Sequence, residues 1–333
     1  MNPVKAGPLV LVLLLSVLVA PAYAYLKLGV RVGTRTVSLQ WNAFPIRYFI
    51  TNRSAPGVDS AQFESAITRA FSTWNAVETS ETSSQLVGFT AASPTSGDGM
   101  SVLGFASRPD LERVLAATNF IIDVTTGEIV ESDIFFNTAF SWSVSPAGET
   151  GRHDLESIAL HEIGHLLGLG HSAIGETEVV PGGRRVLAAE AVMFPIAFSP
   201  GSIADRTLKA DDIAGLTDIY PNPATRRTRG SISGRVTKNG AGVLGAHVVA
   251  FNTRTSALVG GFTLSDDGSF TIAGLEAGPH VLRVEPLDDA EVDSFLDASM
   301  NVDLNFRVRF HDRVVVVPQG GGTRGVELRV VPK

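Results

Sequence analysis

The chain has 333 residues, 44% of them hydrophobic and 18% charged, with a formal net charge of -7. That length admits two domains with a core each, and that balance suits a globular chain and excludes a disordered one. The acidic balance gives no footing for nucleic acid or an anionic membrane as partner, and the lack of any cysteine excludes disulfides and thiol chemistry.

Lys5, an apolar run over residues 9–20 and the sequence Ala22-Tyr23-Ala24 have the layout of a secretory signal peptide spanning residues 1–24. The run is short for a bilayer span and is bounded by Pro8 and Pro21. No stable membrane span is therefore expected after cleavage, and the chain is expected to be secreted, to a periplasm, a cell surface or the medium. Residues 38–50, around Trp41, Phe44, Ile46 and Phe49, read as a strand. Asp59 with Gln62 three residues on forms a capping-box pattern, and Phe63, Ile67, Phe71 and Trp74 lie on one face of the helix that follows. Residues 100–106, 114–122 and 128–136 read as strands, the last two joined by the turn Thr125-Thr126-Gly127. Asp154 caps a helix over 155–167, and a last short helix covers 212–220. Strands and helices in this order make an α+β domain over residues 25–220.

Residues 221–230, with Pro221, Pro223 and an Arg226, Arg227, Arg229 cluster, have the composition of a solvated linker. Beyond it, over 231–333, turn signals such as Asn239-Gly240, Asp267-Gly268 and Gly278-Pro279 separate short alternating runs. That is the pattern of a small all-β sandwich with about seven strands. Contacts across such linkers are usually modest, so each half is expected to stand on its own core. His247, His280 and His311 fall in strand-like runs without a second ligand at metal spacing and read as ordinary half-buried or surface residues. His153, just before a helix, reads as solvent-facing.

The densest chemistry sits in His161-Glu162-Ile163-Gly164-His165-Leu166-Leu167-Gly168-Leu169-Gly170-His171. His161 and His165, four apart on a helix, share a face and can share one ion. Gly168 permits a left-handed turn that ends the helix, so the chain folds back and His171 supplies a third nitrogen. Three neutral imidazoles leave a fourth position open, the mark of a catalytic zinc rather than a structural one. Glu162, beside the ligands, is placed to act as general base and then general acid.

This eleven-residue pattern resembles the signature of the metzincin metallopeptidases, whose other mark is a methionine turn below the metal. Ala191-Val192-Met193-Phe194-Pro195 is similar to that turn in its matrixin form, and Asp211-Asp212-Ile213-Ala214-Gly215-Leu216 with Tyr220 is similar to the matrixin closing helix. The resemblance implies a metzincin-like α+β domain, with a twisted mixed sheet and three helices, acting as a zinc endopeptidase on protein or peptide substrates. It implies Met193 as the Met-turn residue, Pro195, Ile196 and Ala197 as the wall of a substrate pocket, and an extended substrate antiparallel to the strand near 114–122. The chain departs from animal matrixins in having no histidine between Tyr25 and Arg152, so their second, structural zinc cannot form in its usual way and one zinc is expected. A latency switch that uses cysteine is excluded. The strand ending Asp133-Ile134-Phe135-Phe136-Asn137 looks more like bacterial members, and structural calcium near it is left open by the sequence. The stretch from Gly230 to Val236, with Asp267-Gly268-Ser269-Phe270 and Gly278-Pro279-His280, resembles the carboxypeptidase-regulatory-like, or transthyretin-like, domain. The rival reading is a non-catalytic binding or surface-attachment protein, stapled by zinc and led by the β-sandwich. A retained Glu162 counts against it, because a structural site has no use for a base.

Overall fold

The computed structural model describes residues 10–12, 27–32, 35–95, 97–181 and 183–333. Of the expected leader, only β1 (Val10–Val12) is among them; the remainder lies outside the described residues. β2 (Gly29–Val32) and β3 (Arg35–Ser38) form a hairpin. The main sheet comprises β4 (Ile46–Thr51), β5 (Ser84–Thr90), β6 (Ser101–Ala106), β7 (Ala116–Ile122) and β8 (Ile129–Asn137). Its order is β1-β7-β8-β6-β4-β5; β8, β6, β4 and β5 run parallel and β7 runs antiparallel to β8. The strand expected from residue 38 starts only at Ile46, directly after Pro45, which has no N–H to give to a ladder.

Helix α1 (Ser60–Asn75) begins with the expected reciprocal cap: the Gln62 N–H donates to Asp59 Oδ1 at 2.8 Å and the Asp59 N–H to Gln62 Oε1 at 3.0 Å. Its Phe63, Ile67, Phe71 and Trp74 are buried as the spacing requires. Short strands β9 (Trp142–Ser143) and β10 (His153–Asp154) lead into α2 (Leu155–Leu166), where the Ser157 N–H donates to Asp154 Oδ2 at 2.9 Å. The Trp74 indole N–H donates to the Leu160 carbonyl at 2.9 Å and that of Trp41 to the Leu166 carbonyl at 2.8 Å. The Tyr220 hydroxyl donates to the Leu167 carbonyl at 3.0 Å. The last two carbonyls lie past the helix's own ladder, and a buried helix end must find such partners. Hairpin β11 (Gly175–Val180) and β12 (Gly183–Ala189), absent from the sequence reading, is mixed in polarity on both faces and so gave no strand period. Helix α3 (Ala210–Ile219) closes the domain.

The stretch 221–230 is not a free linker. It contains a one-turn helix, α4 (Thr225–Thr228), and Asn222 ties it down by donating to the Glu78 carbonyl at 2.6 Å and accepting from the Thr225 N–H at 2.8 Å. Nine strands follow: β13 (Gly230–Lys238), β14 (Ala241–Gly242), β15 (His247–Asn252), β16 (Leu258–Phe262), β17 (Ser269–Leu275), β18 (Gly278–Glu285), β19 (Arg309–Phe310), β20 (Val315–Val317) and β21 (Gly322–Val330). Two of them are two-residue bridges, which leaves the expected seven. They form two facing sheets, β14-β13-β17 with β21 on β13, and β16-β15-β18-β19 with β20 on β18. His247 and His280 are each only 1% exposed, deeper than expected, because β15 is buried on both faces and His280 lies on the buried face of β18 with Leu282 and Val284; His247 Nδ1 bonds Glu285 Oε1 at 3.0 Å. His153 is half-buried against Phe140 and Trp142 rather than solvent-facing.

The two halves share apolar surface. Ala173 and Ile196 of the first pack in one cluster with Phe262, Leu287, Phe295 and Leu296 of the second. Gly274 lies so close to α3 that a Cβ there would meet the Ala214 carbonyl oxygen at 2.6 Å. The expectation of two loosely joined modules therefore fails, since the bulky residues of the second half that reach across, Phe262 and Phe295, had no periodicity marking them as interface.

Asp211, at the start of α3, is fully buried in this junction and accepts the Gly260 N–H at 2.8 Å. Burial pushes its carboxyl up to about 7 from an ordinary 3.8. A folded-state value above the unfolded one means the native chain holds a proton the unfolded chain has released, so the stability this group contributes is lost as pH rises from about 4 to about 7. Asp211→Asn keeps the acceptor oxygen and removes the charge. Its stability gain over the parent, measured by denaturant unfolding, should widen across that window and stay constant above it. A gap that does not change with pH would show that Asp211 is not buried as a carboxyl.

Candidate metal centre

Helix α2 delivers His161, Glu162 and His165, and Gly168, in the left-handed region at φ +91°, stops it. No other residue fits there: a Cβ on Gly168 would meet the Leu39 carbonyl oxygen at 2.4 Å. The chain then turns back and sets His171 against the other two. One ligand-capable nitrogen from each of the three rings lies within 4.8 Å of the others, and among the described residues this is the cluster able to hold a metal ion.

Each ring is oriented through its Nδ1–H. His161 donates to the Val192 carbonyl at 2.8 Å, His165 to the Leu169 carbonyl at 2.8 Å and His171 to the Ser294 carbonyl at 2.5 Å. A carbonyl can only accept, so Nδ1 carries the proton in all three and Nε2 keeps its lone pair for a metal. Burial drives His161 down to about 3, His165 well below its usual range and His171 downward as well, so all three are neutral at pH 7. Three neutral imidazoles with free Nε2 atoms fit a zinc ion that keeps an open position.

Glu162 is buried, and burial raises its carboxyl to about 7 from 4.5. Thr118 on β7 donates its hydroxyl to Glu162 Oε2 at 2.7 Å and lies 3.0 Å from the Glu162 carbonyl oxygen, which fixes the carboxylate against β7. Thr118 had no signal in the sequence; only the crossing of β7 over α2 reveals it.

Met193 lies beneath the helix, 2% exposed. Two features seat it. The Asp212 carboxylate accepts the N–H groups of Val192 at 2.9 Å and Met193 at 3.1 Å, and that of Lys209 at 2.8 Å, so α3 grips the turn by its backbone. Gly164, between the two helical histidines, leaves the room: a Cβ there would stand 2.2 Å from Met193 Sδ and 3.0 Å from the Trp74 ring. The sequence marks Asp212 only as part of a closing helix and gives no signal for the role of Gly164.

Of the three expected pocket residues, the structure brings only Ala197 to a cavity beside α2, where it is joined by His153, Ser157, Ile158, Ser202 and Asp205. Ile196 packs instead against the Phe262–Phe295 cluster of the second half, and Pro195 is half-buried outside the cavity lining. Asp205 Oδ1 is buried with no hydrogen-bond partner, and burial raises the carboxyl to about 6. Asp133, on the strand where the sequence leaves room for structural calcium, uses Oδ1 to accept the Val102 N–H at 2.8 Å.

The matrixin family profile matches residues 40–221, and the carboxypeptidase regulatory-like domain profile matches 231–309. Metalloendoproteinase 1 of Glycine max is 30% identical over 200 residues, covering 54% of this chain and 52% of that protein. Metalloendoproteinase 1-MMP of Arabidopsis thaliana is 30% identical over 203 residues, covering 56% and 46%. Stromelysin-1 of Mus musculus is 26% identical over 189 residues, covering 56% and 34%. The chain spans about half the length of the curated plant relatives it matches.

The contact between Gly164 and Met193 sets two effects against each other. Alanine is better than glycine in a helix by about 1 kcal/mol, while forcing a methyl into a filled site costs about 1–3 kcal/mol. With Met193 Sδ in the way, the second wins. Gly164→Ala should lower the unfolding midpoint, and the same change in a Met193→Ala background should be neutral or stabilising. Equal effects in both backgrounds would show that the methionine is not seated on that glycine.

Proposed function

The chain belongs to the matrixin family, and from that premise we propose that it is a zinc-dependent endopeptidase, with His161, His165 and His171 as metal ligands and Glu162 as general base. The observation that carries this reading is the buried Glu162 carboxylate, fixed by Thr118 beside three imidazoles whose Nε2 atoms are all free. A zinc-stapled binding protein would gain nothing from a buried carboxylate held there, since desolvating it costs stability.

When bound, zinc supplies Lewis-acid polarisation and brings the pKa of coordinated water to about 7. The residues of the chain do the rest. Glu162 takes a proton from the attacking water and passes it to the leaving amine, and Thr118 keeps Oε2 pointed at that path. The three carbonyl-bound imidazoles stay fixed through the reaction, so no reorganisation is needed as charge develops. An extended substrate pairs with the outer edge of β7, which among the described residues carries a strand partner only at Phe120–Ile122. The cavity holding Ala197 and Asp205 accepts a side chain of the substrate.

The apolar run before Ala24 supports export of the chain and a mature protein working outside the cell. We assign residues 1–24 to the leader, 25–220 to the peptidase unit, 221–230 to the connection and 231–333 to the accessory sandwich.

Glu162→Ala tests the assignment. It should retain zinc by elemental analysis and keep the fold, while hydrolysis of an unstructured protein such as casein falls at least about 100-fold. A variant that digests casein at the parental rate would remove Glu162 from the chemistry.

A further inference from the structure

The three ligands are not held alike. His161 and His165 stand on a helix and send their Nδ1–H groups to carbonyls of the same half, Val192 and Leu169. His171 stands on irregular chain beyond Gly168, with no helix to orient it. Its Nδ1–H finds its acceptor 123 residues away, at the Ser294 carbonyl of the accessory sandwich.

That carbonyl is itself anchored. Ser294 ends a single 3-10 turn, Val292–Ser294, closed by its own N–H to the Glu291 carbonyl at 2.9 Å. The next two residues, Phe295 and Leu296, are each 1% exposed and sit in the apolar cluster shared with Ala173 and Ile196. At the rim, the Thr177 N–H donates to Asp289 Oδ1 at 3.1 Å and its hydroxyl to the Asp289 carbonyl at 2.6 Å. Arg184 adds a bond to the Asp288 carbonyl at 3.0 Å. The turn is therefore clamped from both sides onto the segment that carries the third ligand.

We propose that the accessory sandwich is a working part of the metal centre, in which the Ser294 carbonyl is the positioning group that fixes the tautomer and orientation of His171. The inference rests on the three histidines being zinc ligands, as proposed above. A carbonyl partner on the distal ring nitrogen holds the ring and raises its basicity, and losing such a partner costs about 10- to 100-fold in metal affinity. The occupant of this interface is the chain's own second half, so the sandwich is bound to the metal site by geometry rather than tethered near it.

The full-length chain tests this, by zinc affinity against a competing chelator and by the visible spectrum of the cobalt(II)-substituted protein, which reports ligand orientation. Phe295→Ala removes the anchor of the turn and should weaken zinc about 10- to 100-fold and shift the cobalt bands, while Phe295→Leu restores both. Phe270→Ala, equally buried in β17 but outside the shared cluster, should lower the unfolding midpoint and leave zinc affinity and spectrum unchanged. Should Phe295→Ala fail to fold, the paired rim change Thr177→Val with Asp289→Ala is expected to give the same loss. Parental zinc affinity and spectrum in a folded Phe295→Ala chain would overturn the proposal. A parent chain that binds no zinc would overturn it together with the metallopeptidase reading, whereas zinc that binds tightly without peptidase activity would overturn only the latter.

Discussion

Three Nδ1–H groups, each donating to a backbone carbonyl, are the constraint around which the rest of this molecule is arranged. An imidazole left free to rotate or to exchange tautomers is a poor ligand, and the carbonyls remove both freedoms. Where those carbonyls must sit then dictates the neighbouring structure. The Val192 carbonyl belongs to the turn that also seats Met193, and Asp212 of α3 holds that turn by two N–H groups. The Leu169 carbonyl exists in the right place because Gly168 turns the chain at φ +91°. The Ser294 carbonyl requires a second domain.

Holding the turn has an electrostatic cost. Asp205, Asp211 and Asp212 gather near the start of α3, and burial raises all three carboxyls, to about 6, 7 and 6. Asp212 offsets its desolvation with three N–H donors, each charge-assisted bond contributing about 1.5–3 kcal/mol. Asp205 Oδ1 has no such partner. The half-buried Asp205 side chain lines the cavity beside α2, where the proposed function puts a substrate side chain. The balance of acids against donors thus separates the group that builds the site from the group that faces it.

The fold and the candidate site were legible in the sequence wherever they follow a helical period or a turn: His161, Glu162 and His165 on one helix, Gly168 at its stop, and the helix caps at Asp59 and Asp154. It was illegible wherever a residue acts through contact across the fold. Thr118 reaches Glu162 from a strand 44 residues earlier, and Ser294 reaches His171 from 123 residues later. Neither spacing leaves a trace in a linear pattern. Gly164 shows the intermediate case: its absence of a side chain is visible, but the sulfur that needs the space becomes visible only when α2 lies over the Met-turn. The docking of residues 221–230 was illegible for a related reason, since proline and arginine content reports solvation, and Arg226 and Arg227 are exposed, whereas the bonds of Asn222 to Glu78 and Thr225 report docking.

A chain without cysteine must hold its two halves together without covalent help, and the metal centre offers a way. If the sandwich strengthens zinc binding by orienting His171, then zinc must strengthen docking of the sandwich by the same factor, because the two equilibria share one cycle. A factor of about 10 to 100 corresponds to about 1.4 to 2.7 kcal/mol in each direction. Against the roughly 5–15 kcal/mol by which a native protein is stable, that is a substantial share. On that proposal the apolar cluster around Phe262 and Phe295 and the three imidazoles would act as one cooperative unit, in which burial positions a carbonyl, the carbonyl positions a ligand, and a bound metal returns stabilisation to the interface.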